Sequence, residues 1–152
     1  MDEFSDPTPV APVEAYMSAL KALRDKFARD RPFSASKELE MLRVHYEAPQ
    51  HTITSTQLAE LVGFSSYSTA NMQYGKLAGR IATALAYRPG PFTSTKEPHW
   101  WRTLAYGTEG VALTSDGRYE WIMRPELCLA LERLGWHHRR RPSQEDKANP
   151  PR

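Results

Sequence analysis

The chain has 152 residues, a formal net charge of +2, 40% hydrophobic residues and four tryptophans. That length suits one domain with a real core, and the aromatic content excludes a wholly disordered chain. The charge is too small to announce a polyanionic partner by itself. Cys128 is the sole cysteine, which excludes an intrachain disulfide or a cysteine-built zinc cluster and makes a reducing cytoplasm the expected compartment.

Residues 1–11 and 139–152 are rich in proline and charge, and are expected to form disordered tails, the second of them basic. Between them, residues 12–138 read as one domain. No apolar N-terminal run reads as a signal peptide, and no stretch reaches the length of a membrane span, so no membrane partner is expected.

Pro12 suits the first turn of a helix reaching about Arg29. Val13, Tyr16, Leu20, Leu23 and Phe27 recur along it at spacings of three and four, a stripe that fits either a core face or a seam for a partner helix. A second helix is expected from Ser36 to Tyr46 or Glu47, ending before Pro49, with Leu39, Leu42 and Tyr46 facing inward.

The segment from Thr52 to Leu85 carries the strongest signals. Thr54 with Gln57 forms a capping box, and Ile53 with Leu58 forms a hydrophobic staple. Gly63 suits the left-handed residue that ends the short helix, with Phe64 as its apolar follower. A longer helix then starts at Ser66 or Ser68 and runs to about Ala86. Ala70, Tyr74, Leu77, Ile81 and Leu85 share its inner face, whereas Thr69, Met72, Lys76 and Thr83 lie opposite, flanked by Asn71 and Arg80. A short helix, a tight turn and a longer helix outline a helix-turn-helix. Gly75 and Gly79 on the outer side cost helix stability, so either a nucleic-acid backbone approaches them closely or a neighbouring helix crowds them.

Arg88-Pro89-Gly90-Pro91 ends that helix. The period then changes. Trp100–Gly107 is rich in β-formers, and Val111–Met123 reads as a hairpin around Asp116-Gly117, with Trp121 and Met123 on a buried face. On a strand the two adjacent tryptophans, Trp100 and Trp101, point to opposite faces, the outer one covered by the Pro89–Pro98 linker or left to stack on a base or a partner. The HTIT stretch before the helix-turn-helix supplies a third strand. A last helix follows in PELCLALERLGW, with Pro125 at its first position, Gly135 past its end and Leu127, Leu131 and Leu134 inward. The expected class is α+β: a winged-helix-like domain with two N-terminal helices and a C-terminal helix.

Between residues 51 and 88 Glu60 is the sole acid, against Lys76, Arg80 and Arg88, so the helix-turn-helix is the acid-poor part of the chain. Double-stranded DNA is the expected partner, bound without catalysis. Thr69, Asn71, Met72, Lys76 and Arg80 would face the groove, Ser66, Tyr67 and Ser68 would meet phosphate at the helix start, and Arg118 would sit at the wing tip. A protein-interaction module or homodimer reusing the same shape is the alternative. The acid-rich first helices and the narrow stripe of helix one favour that alternative.

LAELVGFSSYSTANMQYGKLAGRI resembles a segment of bacterial HNH-type restriction endonucleases and of small uncharacterised bacterial or phage proteins. The matching residues are Leu58, Ala59, Glu60, Val62, Gly63, Tyr67, Asn71, Gln73, Tyr74, Gly75 and Leu77. The stretch from Trp121 to Trp136 is similar to a second block of that module. The resemblance implies a target-recognition or accessory region beside a nuclease, in a restriction or phage-related system. The nuclease's own His-Asn-His arrangement is missing from the sequence.

No cofactor, metal or catalytic set is expected. His137 and His138 are adjacent and point apart, so they chelate poorly. Cys128 reads as an inert buried thiol unless His99 or His45 lies beside it. No glycine-rich phosphate loop or nucleophile elbow is present.

Overall fold

A computed structural model of the chain describes residues 8–27, 29–87, 100–107 and 120–137. The expected tails, the wing tip at Arg118 and the turn at Asp116-Gly117 therefore lie largely or wholly outside the described residues.

Pro12 caps α1 (Val13–Asp25), whose Tyr16, Ala19, Leu20 and Leu23 are buried. The helix stops four residues short of the expected Arg29, at Lys26 with its N–H shared between two carbonyls. Phe27 beyond it still packs edge-on against Phe33, ring centroids 5.1 Å apart. The stripe of α1 is core, laid against the fourth and fifth helices. Ser36 caps α2 (Lys37–Glu47), its Oγ accepting from Leu39 N at 3.1 Å and donating to the Phe33 carbonyl at 2.7 Å. Leu39, Met41, Leu42 and His45 are buried on α2, while Tyr46 is half-buried and donates to Glu132.

β1 (Thr52–Thr54) leads into α3 (Ser55–Val62), and both halves of the capping box form: Gln57 N donates to Thr54 Oγ1 at 3.1 Å, and Thr54 N to Gln57 Oε1 at 3.0 Å. α4 (Tyr67–Leu85) follows, ending on Ala86 in the left-handed conformation. β2 (Ala105–Gly107) and β3 (Glu120–Met123) complete an antiparallel sheet of order β1-β3-β2, with Ile53 opposite Trp121 and Ala105 opposite Met123. Since both edges of β3 are taken by β1 and β2, its partner beside β1 is Ala105–Gly107 and not the strand from Val111 that a hairpin around Asp116-Gly117 requires. Trp121 and Met123 alternate inward as the sequence implies. α5 (Pro125–Leu134) closes the described chain, Gly135 in the left-handed conformation at its end.

The stretch Trp100–Thr103 departs from expectation. It is a 3₁₀ turn, and only the following Ala105–Gly107 is strand. With about three residues per turn, adjacent side chains diverge by roughly 120° rather than 180°, so both tryptophans reach the core. Both are half-buried: Trp100 lies against Gly79 of α4, and Trp101 packs 6.2 Å from the ring of Trp121. Among the described residues the result is an α+β fold of five helices and a small antiparallel sheet. Among the described residues no helix is long and apolar enough to cross a membrane.

Candidate nucleic-acid interface

The angle between α3 and α4 is fixed from both sides of their turn. Gly63 sits at φ 94°, a conformation glycine adopts without steric cost. Its N–H and that of Phe64 both donate to the Ala59 carbonyl at 2.9 Å. Lys37 reaches across from α2, its Nζ donating to the Val62 carbonyl at 2.7 Å and lying 5.9 Å from the Phe64 ring centroid. A cation on the last carbonyls of a helix meets the negative end of its dipole. Ser66 then caps α4, accepting from Thr69 N at 3.3 Å.

The rotation of α4 about its axis is set by a buried histidine. His45 Nε2 lies 2.9 Å from the Trp121 carbonyl and Nδ1 lies 2.6 Å from Tyr74 Oη. A carbonyl only accepts, so Nε2 carries the proton and Nδ1 accepts from the tyrosine hydroxyl. Burial holds this imidazole neutral, its pKa pushed down to about 4, and the same burial raises that of Tyr74. One side chain of α2 thereby ties α4 to β3. With Ala70, Tyr74, Leu77, Ala78, Ile81 and Ala82 buried, the opposite face is turned outward.

That outer face is open. Met72 is 51% exposed and Tyr67 39%. Ser66, Ser68, Asn71 and Lys76 are also exposed, and Thr69 is half-buried beside the Ser66 cap. α4 carries Lys76 and Arg80 and no acid. Arg80 is tied to another helix: its guanidinium donates to Glu38 Oε2 at 3.1 Å, joining α4 to the start of α2. Ser68, Met72 and Lys76 thus share one accessible face with Arg80 at its edge, whereas Tyr67 and Asn71, though exposed, fall at about 100° per residue toward the side of the buried Tyr74, Ala78 and Ala82. The glycines separate as well. A Cβ on Gly79 would meet the Trp100 ring at 3.7 Å, so a neighbour within the fold covers it, whereas a Cβ on Gly75 would meet nothing within 4 Å.

Two polar residues central to the fold carry little sequence signal. His45 sits among the apolar positions of α2. Arg124 is 1% exposed at the head of α5, donating from Nε to the Arg102 carbonyl at 2.7 Å and from a terminal nitrogen to the Thr8 carbonyl at 3.0 Å. Burial lowers its pKa, and the nearby Tyr16 hydroxyl opposes that shift. Cys128 is buried and its thiol is pushed up to about 12, chiefly by that burial. His45 is committed to Tyr74 and Trp121, and His99 lies outside the described residues, so nothing described activates the thiol. Among the described residues no group of three or more histidines, cysteines and carboxylates is placed to hold a metal ion. Comparison of the chain with protein-family models, with curated proteins and with solved structures gives no match.

Proposed function

We propose that this chain binds double-stranded DNA by laying the outer face of α4 in the major groove, without cutting it. The observation that carries the reading is the open, acid-free outer face of α4, held by α3 at one end and by His45 along its inner side. A helix must protrude to enter a groove about 12 Å wide, whatever its charge. The element order α2, β1, α3, α4, β2, β3 and the sheet order β1-β3-β2 support a winged-helix reading of the α+β fold. On the resemblance to restriction-associated proteins, the role would be that of a recognition component or regulator.

Within this reading Asn71 pairs with an adenine edge, Lys76 reaches guanine or phosphate, and the Ser66–Ser68 hydroxyls meet phosphate at the positive end of the helix dipole. Lys76→Ala should weaken binding to every duplex and flatten the log–log salt dependence by about 0.9. Asn71→Ala should instead change sequence preference, costing roughly 1–3 kcal/mol at the preferred base. Fluorescence anisotropy against a duplex selected from a random pool measures both. Equal binding by the wild type and the Asn71→Ala/Lys76→Ala variant would remove α4 from the interface.

The second reading, a protein-interaction module, draws on Leu61, 63% exposed at the end of α3, together with Tyr67 and Met72. The α1 stripe no longer supports it, because Tyr16 and Leu20 are buried and Phe27 is packed against the core, while the acid-rich first helices still do.

A further inference from the structure

Alongside α4, on the side that carries Gln73 and Arg80, the surface is hollowed into two adjoining cavities of about 420 and 490 Å³ that share Phe27, Arg31 and Glu38. Their far wall is the end of α1 and the link from α1 to α2. Lys26, Arg31 and Arg80 line the first cavity with Glu38 as its one carboxylate. In the second, Lys37 and Asp30 offset each other. Lys26 and Arg31 are exposed. The hollow thus carries an excess of positive charge, against a chain whose net charge is only +2.

We infer that this groove is a track for the sugar-phosphate backbone of one DNA strand, with Lys26 and Arg31 as phosphate contacts contributed from outside the helix-turn-helix. The inference rests on the reading of α4 given above. An α-helix with its side chains is about 10–12 Å across and fills the major groove. The two phosphate ridges bordering that groove must therefore run along the flanks of the helix. On the Gln73–Arg80 flank, the surface met next is the basic wall of α1 and its link. The Arg80–Glu38 pair gives the track a further property. Glu38 is mostly buried and holds the guanidinium at 3.1 Å, so an arriving phosphate competes with a carboxylate for the same donors. Glu38 therefore weakens non-specific attachment, and its removal tightens it.

The test is anisotropy of the full chain with a labelled duplex of random sequence over a salt series, comparing the wild type with three variants. Lys26→Ala/Arg31→Ala should lower the log–log slope by about 1.8, at 0.9 per phosphate contact, and weaken all sequences alike. Glu38→Gln should bind several-fold more tightly than wild type with a slope no smaller. Lys76→Ala reports on α4 independently. If Lys76→Ala lowers the slope and Lys26→Ala/Arg31→Ala leaves it unchanged, the track is wrong and the α4 reading stands. Weaker binding by Glu38→Gln would overturn the competition between carboxylate and phosphate. Absence of wild-type binding at low salt would remove both readings together.

Discussion

The neutrality of His45 links one residue to the stability of the whole. Its folded pKa of about 4 lies below the ordinary histidine value of 6.5 because burial penalises the charged imidazolium. The unfolded chain therefore binds a proton that the folded chain refuses, and stability drops as pH is lowered from 6.5 to about 4. It is fully present above pH 6.5 and lost as pH drops toward about 4. At about 1.4 kcal/mol per unit the effect is on the order of 3 kcal/mol. Urea midpoints across that interval should fall for the wild type and stay flatter for His45→Gln, whose baseline stability is lower. A wild-type midpoint that is constant from neutral pH to the lower limit would show that the imidazole is not held neutral. Tyr74→Phe offers a companion measurement, since it leaves Nδ1 without its donor at a cost of about 1–3 kcal/mol.

At the scale of the element, α4 is a helix interrupted by two glycines that do different things. Gly79 accepts the Trp100 ring, while Gly75 faces open space. Gly75→Ala should raise stability by about 0.5–1 kcal/mol, the usual gain of alanine over glycine inside a helix. If a DNA backbone passes against that position, the same change should weaken binding, and thermal melts paired with anisotropy separate the outcomes. Loss of stability in Gly75→Ala would contradict the open space seen there. The helices were legible because their ends are written locally: Ser36, Thr54, Gly63, Ser66 and Gly135 each act on backbone groups within a few residues. Trp100–Thr103 was not legible, because β propensity measures fit to a pleated surface. Here the deciding contacts come from α4 and Trp121, distant in sequence. The exposed face of α4 followed from its period, yet the Glu38 partner of Arg80 did not. Those residues stand 42 positions apart and only the packing of α2 brings them together.

For the whole molecule, the question is whether stability and binding can be separated. Arg124 joins the N-terminal stretch at Thr8, the 3₁₀ turn at Arg102 and the start of α5, and the Tyr16 hydroxyl makes a parallel tie from α1 to the Thr103 carbonyl at 2.6 Å. These bonds hold α1 and α5 to the sheet end of the fold, and none of the Arg124 partners belongs to α4. Arg124→Leu removes a donor from two carbonyls, each costing about 1–3 kcal/mol if left unsatisfied, while the relief of burying a guanidinium offsets part of that loss. Arg124→Lys should be no better, because an ammonium is more strongly hydrated and lacks the fork that spans both carbonyls. Both variants should therefore melt lower than wild type, and below their melting range both should bind the random duplex with an unchanged salt slope. Circular dichroism establishes the folded fraction and anisotropy the slope. A variant that stays folded but loses the slope would draw Arg124 into the DNA interface, and the division of labour between the sheet end and α4 would then have to be abandoned.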